Sequence, residues 1–251
     1  MTRTLLMIHG IGCGGDAWDV MRPGFEAAGW TCDAPTLFPE LRTIEDPPEA
    51  IASLGLQDYI EAMASRCQAF EAETGSKPAV IGHSMGGLIA QKLTEAGLVS
   101  KAVYLTPAQP EDCAKIGLSM MITFGNVILS GDRSKAQKIW KTGFKWGVLN
   151  CVPKQRHDEI YTHARWDSGK VYGDIQDGVS LDVSKVTVPT LTIAASKDRA
   201  TIAPAVRKLA EKLNSAAVPG DFIEYPDNAH WIVDEPGTDK VVADITAWLE
   251  R

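Results

Sequence analysis

Gly82-His83-Ser84-Met85-Gly86 sets a serine two residues from a glycine on either side. This G-x-S-x-G spacing belongs to a sharp strand-to-helix turn from which the serine Oγ projects as a nucleophile. The turn has no room for side chains at Gly82 and Gly86, and it strains the serine backbone. Ala79 to His83 in front of it is an apolar run that reads as buried strand, and the run from Met85 reads as helix. A helix starting directly behind Ser84 also aims first-turn N–H groups at the site, where a developing oxyanion is stabilised.

A serine hydroxyl must lose its proton as it attacks, so a base has to stand beside it. Of the five histidines, His83 adjoins the nucleophile and is expected to point away from it, His9 ends the first apolar run, and His157 and His163 lie in a helical stretch. His230 is the candidate base. It sits in Pro226-Asp227-Asn228-Ala229-His230-Trp231, a loop between the last strand-like run and the closing helix, and parallel sheets carry their sites on such loops. The third group is a carboxylate that orients the imidazole and stabilises its charged form. Asp198, in Ala195-Ser196-Lys197-Asp198-Arg199, again follows a strand-like run. Of the rival acids, Asp234 reads as a cap or ion-pair partner before the last helix, and Asp227 lies too close to His230 in sequence to reach round to it.

These residues need a frame that brings three distant loops together. Thr4 to His9, Ala79 to His83, Lys101 to Thr106 and Pro189 to Ala195 read as buried strands, with Trp30 to Ala34 and Phe222 to Tyr225 as shorter ones. Helical patterns fill Ala17 to Ala28, Leu56 to Glu73, Met85 to Ala96, Ile202 to Leu213 and Thr238 to Leu249. The alternation predicts an α/β fold with a mainly parallel central sheet flanked by helices. Residues 107–188 break the rhythm: no convincing strand, only helical patterns at Glu111 to Leu129, Ser134 to Phe144 and Lys154 to Ala164. The expected organisation is a core of residues 1–106 and 189–251, with 107–188 inserted as an all-helical cap. The insertion holds 11 Lys and Arg against 9 Asp and Glu, and the rest of the chain 14 against 23. A net positive cap does not repel anionic substrates.

The 251 residues carry a net charge of -7 with 45% apolar side chains, enough for one core and unsuited to nucleic acid or an anionic membrane as partner. Five cysteines, odd in number and without a CxxC pair, fit neither a disulfide framework nor a zinc ribbon, and point to a reducing compartment. The apolar stretch Met1 to Ile8 is too short for a signal-peptide core, and the uncharged window Ile116 to Gly131 is too short to span a membrane. A cytoplasmic location is the expectation.

Taken together, the Ser84 turn, the order Ser84, Asp198, His230 and the strand–helix alternation resemble the α/β-hydrolase fold family over essentially the whole chain. The resemblance implies that 107–188 is the family's cap. His9-Gly10-Ile11-Gly12 is similar to the family's HG turn, which implies an oxyanion hole from the backbone N–H groups of Ile11 and Met85, with Gly12 as the fallback donor. The family often has two antiparallel strands before this turn, whereas eight residues precede His9 here. That start resembles small esterases and plant hydroxynitrile lyases, and the difference removes a sheet edge and no catalytic group. Family epoxide hydrolases and haloalkane dehalogenases carry Asp where Ser84 stands, so the resemblance points to acyl transfer.

A second pattern overlaps the first. Gly10-Ile11-Gly12-Cys13-Gly14-Gly15 satisfies G-x-G-x-x-G after a strand, and Asp33 follows near the distance of a ribose-binding acid, which on its own reads as an NAD-binding oxidoreductase. It explains none of Ser84, Asp198 and His230. The reading that does is a serine hydrolase, a carboxylesterase cleaving small, fairly apolar esters without metal or organic cofactor; a hydroxynitrile lyase or other carbon–carbon lyase on the same three residues is the alternative. The apolar window Ile116 to Leu129, with Met120, Met121 and Phe124, and the flanking Trp18 and Trp231 are the candidate pocket walls.

Overall fold

A computed structural model describes residues 3–115 and 117–251. Met1 and Thr2, of the apolar stretch Met1 to Ile8, and Ile116, of the helical pattern Glu111 to Leu129, lie outside the described residues. The elements run β1 (Thr4–Ile8), α1 (Arg22–Ala27), β2 (Thr31–Asp33), α2 (Leu56–Thr74), β3 (Ala79–His83), α3 (Met85–Glu95) and β4 (Lys101–Leu105). After them come α4 (Leu118–Thr123), α5 (Gly125–Ser130), β5 (Ala136–Gln137), α6 (Lys141–Gly143), α7 (His157–Thr162), β6 (Asp167–Ser168) and α8 (Gly169–Asp177). The chain closes with β7 (Thr190–Ala195), α9 (Ala203–Leu213), β8 (Asp221–Tyr225) and α10 (Thr238–Leu249).

Six strands form one parallel sheet in the order β2-β1-β3-β4-β7-β8. The central strands are apolar and buried along their whole length because helices cover both faces. The direction of winding reverses between β1 and β3. A crevice therefore opens above the carboxyl ends of these two strands, where the chain leaves β1 at His9 and β3 at Ser84.

The expected strands all form, and the helices outside residues 107–188 form with one break. Ala17 to Ala28 is a 3-10 turn at Gly15–Trp18 followed by α1, because Pro23 lacks an N–H and can sit only in the first turn of a restarted helix. Residues 107–188 lie between the paired strands β4 and β7 and depart from the all-helical expectation. Asp132 accepts hydrogen bonds from the N–H and hydroxyl of Ser134, a local turn that competes with helix. Two residues later β5 pairs antiparallel with β6. Helix α8 is absent from the helical patterns read above, yet it buries Val171 and Gly173, and its Ser168 N-cap accepts from the Lys170 N–H, a signal present in the sequence.

Two glycines let the sheet and α3 approach closely enough to form the Ser84 turn. A Cβ on Gly82 would fall on the Gly86 carbonyl oxygen, and one on Gly86 would fall on the carbonyl of Ile8 in β1. Neither neighbour is a side chain that can swing away. Gly86→Ala should therefore lower stability by about 3 kcal/mol or more, read as a fall in the urea midpoint; an unchanged midpoint would contradict this packing.

Candidate active site

Ser84 stands between β3 and α3 with φ 55° and ψ -119°, a conformation that costs a non-glycine residue energy. The surrounding backbone holds it there: its N–H donates to the Leu105 carbonyl at 3.2 Å, and its own carbonyl accepts from Gly87 at 2.9 Å and Ala108 at 2.8 Å. Thr106, at the end of β4 beside it, is also at positive φ, 39°.

The three side chains singled out by type and order meet above the sheet. The Ser84 hydroxyl lies 3.0 Å from His230 Nε2, and His230 Nδ1 lies 2.8 Å from Asp198 Oδ2. A carboxylate only accepts, so Nδ1 carries the proton and Nε2 presents its lone pair to the serine. All three are buried, His230 at 3% exposure and Asp198 at 6%, which lowers the dielectric around the line of bonds. Asp198 is itself fixed: Oδ1 accepts from the N–H groups of Ala200 (2.8 Å) and Thr201 (2.9 Å), and the Thr201 hydroxyl lies 2.8 Å from Oδ2. The rival acids are engaged elsewhere. Asp234 accepts two bonds from Arg156, and Asp227 pairs with Lys197 at the surface.

His83 does point away from Ser84, but it is not idle. Its Nε2–H donates to the His230 carbonyl at 2.8 Å, and its ring packs between Trp18, Trp231 and His230. Glu235 braces the same loop through the Ala229 N–H at 2.7 Å and Asn228 Nδ2 at 3.3 Å; burial pushes its carboxyl pKa up. Sequence reading misses both supporting roles, since His83 fills an unspecified position of the serine turn and Glu235 belongs to no spaced motif.

On the other side of Ser84, the Gly12 N–H donates to Asp167 Oδ2 at 3.0 Å and is not free for an oxyanion. Among the described residues none accepts from the Ile11 N–H. Met85 opens α3, where first-turn amides lack intrahelical acceptors. The glycine turn leads into a four-residue 3-10 turn and α1 starts only at Arg22, so the glycines do not open an α-helix whose N-terminus would cradle a pyrophosphate. Asp33, the would-be ribose acid, forms a two-pronged pair with Arg66. Among the described residues no group of His, Cys, Asp or Glu is placed to hold a metal ion, and no helix is long and apolar enough to cross a membrane.

Ser84 and His230 line an apolar inner pocket of about 10 Å³, walled by Ile11, Phe124, Ile139, Phe144, Val148 and Trp231. An outer pocket of about 230 Å³ opens beside it and shares Cys13, Phe144 and Trp231 with the inner one. Of the expected walls, Phe124 and Trp231 take that place. Met121 is half exposed instead, and Trp18 is fully buried behind His83. Cys13 does not compete as nucleophile: burial pushes its thiol up to about 12.

Similarity points the same way as the geometry. The family profile of the Alpha/beta hydrolase family matches residues 5–244. No curated protein matches the sequence. Among solved structures, a methylesterase from Arabidopsis is similar with a TM-score of 0.73 at 15% identity, covering 99% of each chain. A monoacylglycerol lipase from Paleococcus ferrophilus gives 0.71 at 18% identity, over 99% of this chain and 95% of that one. A tomato methylketone synthase, solved with 2-tridecanone, gives 0.72 at 17%, over 100% and 98%. At such identities the likeness carries the fold and not the substrate.

Burial holds His83 neutral, with its pKa lowered to about 3 despite the bond to the His230 carbonyl. In the unfolded chain the ring takes up a proton near pH 6.5. Between these values the unfolded state binds more protons, so stability is lost as pH falls from about 6.5 toward 3. His83→Gln, which keeps a donor for the His230 carbonyl, should flatten the decline of the urea midpoint from pH 7 to 4; an unchanged slope would refute the assignment.

Proposed function

Since the chain belongs to the alpha/beta hydrolase family, we propose that it is a carboxylic ester hydrolase working through a seryl ester. The observation that carries this reading is the buried line Ser84–His230–Asp198, with contacts of 3.0 and 2.8 Å, opening on an apolar pocket. Ser84 Oγ attacks the carbonyl carbon while its proton passes to His230 Nε2, and Asp198 stabilises the imidazolium at Nδ1. The charge that develops on the carbonyl oxygen is met by the N–H groups of Ile11 and Met85. His230 then hands the proton to the departing alcohol oxygen, leaving an ester of Ser84. Water, deprotonated by the same nitrogen, attacks that ester and releases the acid and the free serine.

The pockets divide the substrate. The inner one, walled by aromatic and aliphatic groups, takes a small apolar acyl group, and the outer one takes the alcohol portion. At about 10 Å³ the inner pocket holds no more than a water molecule, so Phe144 and Trp231, common to both pockets, must shift for an acyl group to enter. Residues 107–188, which supply Phe124, Ile139, Phe144 and Val148, act as the cap. Their +2 charge does not extend to the mouth, where Asp16, Asp19, Glu159 and Asp234 outnumber Arg156 and His163. Neutral or cationic alcohols suit that mouth better than anionic ones. All five cysteines are free, which supports a reducing, cytoplasmic setting.

A panel of p-nitrophenyl and alkyl esters tests the reading. Hydrolysis should be measurable for short acyl chains and fall by roughly four orders of magnitude or more in Ser84→Ala with the fold intact; undiminished turnover in that variant would contradict the reading. Phe144→Ala should raise kcat/KM for longer or branched acyl chains relative to acetyl, and an unchanged ratio would remove Phe144 from the acyl wall.

A further inference from the structure

Arg42 and Asp167 are both fully buried and face each other as an ion pair. Asp167 Oδ2 accepts from Arg42 Nη2 at 2.7 Å and Nε at 3.2 Å, and Oδ1 accepts from the Tyr59 hydroxyl at 2.5 Å and the Ser168 N–H at 3.1 Å. Burying two charges gives little net stability even when they are well paired. What this pair does hold is the loop after β1. The Gly12 N–H donates to Asp167 Oδ2 at 3.0 Å, and the Gly12 carbonyl accepts from the Arg165 N–H at 2.8 Å.

Arg42 reaches the same loop by a second route. Its Nη1 donates to His9 Nε2 at 3.0 Å, and the Leu37 N–H donates to the same nitrogen at 3.1 Å. Both partners are donors, so Nε2 must be unprotonated and the proton sits on Nδ1. That Nδ1–H donates to the Gly10 carbonyl at 2.8 Å, which also accepts from the Cys13 N–H at 3.3 Å. A trans peptide points its C=O and N–H in opposite directions. Holding the Gly10 carbonyl therefore fixes the direction of the Ile11 N–H. Each of the three peptide planes from Gly10 to Cys13 is thus held by at least one hydrogen bond.

We infer that Asp167 and Arg42 are positioning residues, which act through His9 and Gly12 to aim the Ile11 N–H at the oxyanion. The inference rests on the ester-hydrolase reading above. It ties the preorganisation of the oxyanion site to β6, so that the segment between β4 and β7 contributes to the chemistry as well as to the pocket wall. Neither residue touches the reacting atoms.

The test compares wild type with Asp167→Asn, and with Asp167→Asn combined with Arg42→Met, which leaves no unpaired buried charge. Three quantities are measured: ester kcat and KM, affinity for an alkyl trifluoromethyl ketone, and affinity for the matching secondary alcohol. The ketone adds the Ser84 oxygen to its carbonyl carbon and forms a hemiketal oxyanion, whereas the alcohol forms none. In a folded variant, kcat and ketone affinity should fall together by about tenfold or more, while KM and alcohol affinity stay within about twofold of wild type. Rescue of circular dichroism by the double variant without rescue of kcat is the same result. Folded variants with wild-type kcat and ketone affinity would overturn the inference, as would equal loss of ketone and alcohol binding. Failure of both variants to fold would also count against it, since the pair would then serve stability. Wild type that cleaves no ester and binds no ketone would instead refute the ester-hydrolase reading itself.

Discussion

Ser84 is held in a backbone conformation that its own side chain disfavours, φ 55° and ψ -119°, and everything around it is arranged so that it cannot relax. Relaxation would require β3, α3 or β1 to move apart. They are locked by buried strand pairing on both sides of β3 and by contacts so close that Gly82 and Gly86 admit no Cβ. The energy stored in one residue is covered by the cohesion of the whole sheet. The consequence is a hydroxyl raised above the sheet at the point where strand order reverses, within reach of loops from β1, β7 and β8.

In the resting site the protonation patterns of the histidines near Ser84 are set by their hydrogen-bond partners. His230 donates to Asp198 and so offers a lone pair to Ser84. His83 stays neutral beneath it and carries the His230 carbonyl on its Nε2–H. On the far side His9 is also kept neutral, by burial and by the neighbouring Arg42 cation, with its tautomer set by two donors. Three histidines thus sit around one serine with three roles, and in each case the hydrogen-bond partner at one ring nitrogen decides what the other can do.

Much of this frame is legible in the residues. Strands such as Thr4–Ile8 and Lys101–Leu105 are continuous apolar runs because they are buried on both faces, and they are short enough to stand out against the helices. Ser84, Asp198 and His230 are legible because loops at strand ends constrain where chemistry can sit. That the Gly12 N–H is already engaged is not, since its acceptor Asp167 lies 155 residues away. Arg42 and Asp167 look like ordinary surface charges until the fold buries them together. Residues 107–188 are the least legible part: their short helices are held by contacts such as Asn126 to Trp140, and the β5–β6 pairing rests on two residues per strand, too few to leave a period.

Ser84, alone among the buried hydroxyls and thiols, is expected to be an activated nucleophile. The direct measurement is reaction of the folded protein with a fluorophosphonate, with the adduct mapped by peptide mass spectrometry. A single adduct is expected on Ser84, absent from Ser84→Ala and strongly slowed in His230→Ala, with Cys13 unmodified. Folded protein that leaves Ser84 unlabelled, or that labels at the same rate without His230, would contradict it.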